Sequence, residues 1–211
     1  MADKEDIIAS ETGRPGELSA ANQLFPIFLK LNQLTVLIVG GGYVGMEKLS
    51  AVLQNSPNAN VKLVATVICE EIKKLAKEYS RVALIEKPYG AADIDGADLV
   101  IAAVNDRTVS EQVSRDAKQK GKLVNAADKP ELCDFYLSSV VQKGSLKIAI
   151  STNGKSPTIA KRIKEALNET LPVELDAVLD NMQAIRNKIS GDFTEKVKQL
   201  NEITKSLAEG K

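Results

Sequence analysis

The chain has 211 residues and balances 28 Lys plus Arg against 28 Asp plus Glu, so it carries no net formal charge. That length fits one medium domain or a domain with an appendage, and the charge balance offers no bulk attraction to nucleic acid or an anionic membrane. No apolar run approaches the ~20 residues of a membrane-spanning helix, and the start lacks a signal-peptide core.

Histidine is absent, which excludes Ser-His-Asp triads, histidine-rich zinc sites and imidazole acid–base chemistry. Cys69 and Cys133 are the two cysteines, with no CxxC spacing, so a reducing cytoplasm is the simplest location.

Residues 1–21 are polar, with Gly13, Pro15 and Gly16 near the middle, and are expected to form a flexible tail outside the folded core. Next, Leu34-Thr-Val-Leu-Ile-Val39 reads as a buried parallel strand running into Gly40-x-Gly42-x-x-Gly45. In a strand-to-helix turn the first glycine allows the tight bend. The second lets the backbone approach a pyrophosphate, and the third lets the new helix pack closely. Met46–Leu53 has helical character, so the context that this motif requires is present.

Val61–Ala65, Val82–Ile85, Ala97–Ala103 and Leu123–Asn125 read as four further strands. Helices over Cys69–Tyr79 and Asp106–Lys120 separate them. This alternation predicts an α/β, Rossmann-like doubly wound parallel sheet with right-handed crossovers over residues 22–134. Gly40, Gly42, Tyr43, Val44 and Gly45 are then expected to hold the cofactor's phosphates. Thr66 and Val67 would face its adenosine ribose, and Asn105 would stand near the nicotinamide. The second strand ends Val64-Ala-Thr-Val67 without the usual ribose-binding acid, so NAD against NADP stays open at this point.

After residue 134 the character changes. Phe135–Val141 and Ser145–Ser151 read as two strands around a Gln142-Lys-Gly144 turn. Ser156 is a natural N-cap with Pro157 at the first helical position, opening a helix to about Leu171. Residues 135–164 contain no acid but include Lys143, Lys147, Lys155, Lys161, Arg162 and Lys164. Such a run is most often a solvated face, and an anionic ligand is the sharper alternative. From residue 171 to 211 the chain reads as helical. Two apolar rows, Leu175, Val178, Leu179, Met182, Ile185 and Phe193, Val197, Leu200, Ile203, Leu207, are expected to be packing faces.

Several segments, taken in order, carry a resemblance: Leu24-Phe-Pro-Ile-Phe-Leu-Lys-Leu31, the glycine turn, Lys87-Pro-Tyr89, Asp98–Ala103, Asn125-Ala-Ala-Asp128 and Ser151-Thr-Asn-Gly-Lys-Ser-Pro157. The sequence resembles the precorrin-2 dehydrogenases, the family that includes the N-terminal half of bacterial siroheme synthase, over about residues 24 to 208. The long bacterial enzymes continue into a methyltransferase part, which is expected to be absent here. The resemblance implies a cytoplasmic homodimer with an NAD-binding domain, a dimerisation and substrate-binding region over 135–170 and a helical region over 171–211. It implies oxidation of precorrin-2 to sirohydrochlorin with NAD, and in some members insertion of ferrous iron as a substrate.

By the same resemblance Asp128 is the catalytic acid–base residue, and no permanent metal is implied. Asn125, Thr152, Asn153, Gly154, Lys155 and Ser156 are implied to bind the polycarboxylate tetrapyrrole, with neither nucleic acid nor membrane as partner. Without the resemblance, Asp128 reads as a turn or helix-capping aspartate. Asp106 is the rival carboxylate, expected to cap the helix that follows it. Val104 departs from the family pattern, where threonine is common. Two other functions stay open: a non-enzymatic dinucleotide sensor and an oxidoreductase acting on another polyacidic substrate.

Overall fold

The computed structural model describes residues 22–189 and 193–208, so the tail expected over 1–21 lies outside the described residues. The chain divides into two compact units, the first ending at Leu137 and the second beginning at Ser138.

The first unit is built on five parallel strands: β1 (Thr35–Val39), β2 (Asn60–Ala65), β3 (Val82–Glu86), β4 (Leu99–Ala102) and β5 (Leu123–Ala126), in the order β3-β2-β1-β4-β5. Helices α1 (Tyr43–Asn55), α2 (Glu70–Ala76) and α3 (Arg107–Gln119) connect them. Alternate residues of β1 face opposite sides, as the period of two requires. Val36 and Ile38 pack with Leu49, Leu53, Leu63 and Ile72, while Leu37 and Val39 pack with Val64, Val113 and Val124. All four residues of β4 are buried, the pattern of a strand covered on both faces.

Register aligns the carboxyl ends. Val39 stands beside Val64 and Ala102, and Ala102 beside Ala126. The loops after β1, β2, β4 and β5 therefore share one edge. The strand order reverses direction between β1 and β4, the point where open α/β sheets bind ligands.

Helix α2 is shorter than the predicted Cys69–Tyr79. Cys69 is its N-cap, and Lys77, Glu78 and Tyr79 donate three residues back to Lys74, Leu75 and Ala76, tightening the last turn out of α geometry. The Lys87–Tyr89 segment serves as an internal clamp. Lys87 and Lys62 pair with the buried Asp93 at 2.7 and 3.1 Å, the Gly90 amide donates to it at 3.0 Å, and the Tyr89 hydroxyl donates to Asp116 at 3.0 Å.

The second unit opens with an antiparallel hairpin of β6 (Ser139–Lys143) and β7 (Leu146–Ile150), with Lys143 opposite Leu146. The turn is therefore Gly144-Ser145, one step later than the predicted Gln142–Gly144, and the first strand starts at Ser139 instead of Phe135. A two-residue turn with glycine at φ +52° suits the right-handed strand twist. The Phe135 carbonyl accepts from the Asn125 side chain, which ties Phe135 to the first unit. Helix α4 (Pro157–Thr170) packs on β6 and β7 and buries Ala160. Its start is as read: Ser156 Oγ accepts from the Ile159 amide at 3.1 Å, with Pro157 at the first position.

Helices α5 (Leu175–Lys188) and α6 (Phe193–Ala208) follow. Asp176 of α5 accepts from the Ser145 amide at 2.7 Å, so an acid docks on the hairpin turn of the acid-free stretch. The apolar rows do not close a core among the described residues. Val178, Leu179, Val197 and Ile203 are exposed, and α5 buries none of its residues. The side chains of Phe193 and Leu207 lie outside the described residues. No helix among the described residues is long and apolar enough to cross a membrane.

Candidate functional site

The glycine turn shows a division of labour. Gly40 has φ +127°, and a Cβ there would run into the Ala103 carbonyl. A Cβ on Gly45 would run into the carbonyl of Gly40, so this glycine lets the helix start fold back against the turn itself. Gly41, which the spacing of the motif leaves out, is equally constrained, because its Cβ would meet the Val67 carbonyl and Ala65. Gly42 differs. Its φ is −95° and its Cβ would enter open space.

That open space faces the start of α1. Gly42 is the N-cap and brings no side chain to the free first-turn N–H groups, and the first turn carries no acid. Unsatisfied donors at the positive end of a helix dipole, reached across a glycine, fit a pyrophosphate. Tyr43 is exposed at the helix start and Val44 is half-buried beside it. Thr66, Val67 and Asn105 are exposed on the loops after β2 and β4. Asp106 accepts from the Thr108 and Val109 amides at 2.8 and 3.4 Å, which makes it the cap of α3. Val104 is half-buried at the end of β4, and its Cγ1 would lie 3.1 Å from a Cβ on Gly40.

At the end of β5 lies an open pocket lined by Lys48, Asn125, Asp128, Lys129, Cys133 and Tyr136, among others. Asp128 adopts φ +57°, a left-handed conformation uncommon outside glycine, and its carboxylate has no hydrogen-bond partner among the described residues. It caps no helix: the short 3₁₀ turn Pro130–Leu132 begins from Lys129, without a side-chain cap. A non-glycine residue held in this region over a pocket is the kind of strain that gathers at functional sites. Asn125 is buried, and its amide nitrogen donates to the Phe135 carbonyl at 2.9 Å. That leaves its oxygen as the group available to a ligand. The Cys133 thiol is held above its ordinary value by burial, which outweighs the hydrogen bond from the Ala126 amide. Lys48, Lys129 and Tyr136 escape sequence reasoning. Lys48 sits on α1, far along the chain from Asp128, and only the packing of α1 against the sheet brings it to this pocket.

In the second unit, Thr152–Ser156 forms a turn with Asn153 and Gly154 both left-handed, at φ +53° and +74°. The Thr152 hydroxyl accepts from the Ser156 amide at 3.2 Å and donates to its carbonyl at 3.1 Å. The Ser156 hydroxyl caps α4, so both hydroxyls shape the loop. Asn153, Gly154 and Lys155 are exposed.

An NAD(P)-binding family model matches residues 27–139, and the central region of sirohaem biosynthesis proteins matches residues 143–170. Siroheme synthase of Mannheimia succiniciproducens is 34% identical over 175 residues, covering 83% of this chain and 34% of that protein. The Psychrobacter sp. siroheme synthase is 35% identical over 174 residues, covering 82% of this chain and 34% of its own length. The chain thus spans about a third of the length of these relatives. Among solved structures, the precorrin-2 dehydrogenase SirC superposes with a TM-score of 0.67 at 25% identity, over 85% of this chain and 89% of that one. The fold, both family matches and these relatives agree: the chain belongs to the precorrin-2 dehydrogenase family, with the NAD(P)-binding part in its first unit.

Proposed function

We propose that this protein oxidises precorrin-2 to sirohydrochlorin in siroheme biosynthesis, with NAD as the hydride acceptor. The observation that carries the proposal is Asp128: a left-handed carboxylate, unpartnered among the described residues, over a pocket at the carboxyl edge of the sheet that Lys48 and Lys129 also line. Loss of hydride from a tetrapyrrole must be matched by loss of a proton, and a positioned carboxylate accepts one. The two lysines suit a substrate rich in carboxylates, through charge-assisted hydrogen bonds. Asn125 Oδ1 would accept from a ring N–H.

When bound, NAD supplies the hydride acceptor. The chain's part would be to hold it, with Gly40, Gly42 and Gly45 shaping the turn and the first-turn N–H groups of Tyr43, Val44 and Gly45 available as donors to its phosphates. Thr66, Val67 and Asn105 complete the edge. The same free carboxylate suits ferrous iron insertion, where pyrrole N–H protons must leave, so we assign chelation to Asp128 as a second activity. A homodimer is part of the proposal, supported by the exposed apolar residues of α5 and α6. A dinucleotide sensor would give no reason for a strained carboxylate in a lysine-flanked pocket.

Incubation with NAD and precorrin-2, followed by absorption, tests the proposal: sirohydrochlorin should form with NADH. No product from folded protein would reject it. Supplying sirohydrochlorin and ferrous iron without NAD, under anaerobic conditions, tests the second activity.

A further inference from the structure

The turn after β2 lacks the acid that usually binds the adenosine ribose, yet a carboxylate does stand at this edge. Glu86 is the last residue of β3 and pairs in register with Ala65, the last residue of β2. Its Oε1 accepts from the Ile68 amide at 3.2 Å, which latches the side chain onto the turn that carries Thr66 and Val67. The side chain remains half exposed, and its second oxygen accepts no hydrogen bond among the described residues. Nearby cations are matched by acids. Lys73 lies 3.2 Å from Glu70 and 3.9 Å from Glu86, and Lys87 pairs with Asp93 at 2.7 Å. No arginine adjoins the turn.

We infer that Glu86 supplies, from the neighbouring strand, the carboxylate that accepts the adenosine ribose 2′-hydroxyl and repels a 2′-phosphate, so that it selects NAD over NADP. This rests on the dinucleotide reading of the edge. A carboxylate accepting from a ribose hydroxyl makes a charge-assisted hydrogen bond, and a phosphate in the same place meets like charge. Sequence position hides the residue, because the motif seeks its acid on β2 and only the sheet register brings β3 alongside.

A purely structural latch for the Thr66–Ile68 turn is separable from this role. Glu86→Gln keeps an oxygen for the Ile68 amide and removes only the charge. Calorimetry on the full chain with NAD and with NADP is the test. The wild type should prefer NAD by at least about tenfold, and Glu86→Gln should cut that ratio by about tenfold, with NADP gaining and the melting temperature unchanged. Glu86→Ala should lose NAD affinity as well and also gain toward NADP. An NAD-binding wild type whose preference is the same in both variants overturns the role of Glu86 alone. A wild type that binds neither dinucleotide overturns the cofactor reading and this inference with it.

Discussion

Cys133 Sγ lies 3.2 Å from the Ala126 amide nitrogen and 3.2 Å from the Ala126 carbonyl oxygen, accepting from the one and donating to the other. The Lys129 carbonyl, at 3.3 Å, shares that single thiol hydrogen, so one thiol spans the turn that carries Asp128. The protonated form is the one that can donate. Burial raises its pKa above 9.0, so this contribution to stability is complete below pH 9.0 and is lost as pH rises through the folded value. Cys133→Ala should cost about 1–2 kcal/mol in urea unfolding at pH 7 and flatten the alkaline decline. A variant as stable as the wild type would show that the thiol does not hold the turn.

The two glycines of the turn should respond in opposite ways. Gly45→Ala places a methyl against the Gly40 carbonyl and should destabilise the first unit by roughly 1–3 kcal/mol. Gly42→Val enters open space and should leave the melting temperature near that of the wild type, while NAD binding is lost. Unchanged NAD affinity in folded Gly42→Val protein would remove the pyrophosphate from this site.

Asp93 governs the acid limb of stability. Burial raises its pKa, but hydrogen bonds from Lys87, the Gly90 amide and Lys62 together outweigh it and leave the carboxyl below its ordinary 3.8. A depressed pKa contributes stability that is complete above pH 3.8 and is lost as pH falls through the lower folded value. Asp93→Asn should therefore lower stability by about 1–3 kcal/mol at pH 7 and show a shallower acid decline. Parallel acid limbs for the two proteins would argue against this role.

Asp128 separates chemistry from folding. Asparagine tolerates the left-handed region, so Asp128→Asn should fold normally and bind NAD as before. Precorrin-2 oxidation should fall by about 10²–10⁴-fold. Asp128→Gly should be more stable than the wild type by up to about 1 kcal/mol, since glycine relieves the backbone strain, and equally inactive. Wild-type turnover in either variant would unseat the carboxylate.

Assembly can be read directly. Val178 and Leu179 on α5 and Val197 and Ile203 on α6 leave apolar surface exposed within one chain. Light scattering at micromolar concentration should give a dimer, and Val178→Asp with Ile203→Asp should shift the mass toward the monomer. A monomeric wild type would leave these faces without the proposed partner.

Much of this protein was legible from short-range sequence. The buried strand before Gly40, the Asp106 cap and the Ser156–Pro157 helix start depend on residues within a turn or two of each other, where backbone sterics and local hydrogen bonds decide. The hairpin's existence was legible too, but not its start or its turn. Phe135 is held by Asn125, and Asp176 closes on Ser145, across 31 positions. The pocket was half legible: Asn125 and Asp128 come from one segment, whereas Lys48 joins them only through the packing of α1. Glu86 was hidden for the same reason. Which side chains share an edge is set by strand order and register, and those follow from burying both faces of the sheet at once rather than from any single stretch of chain.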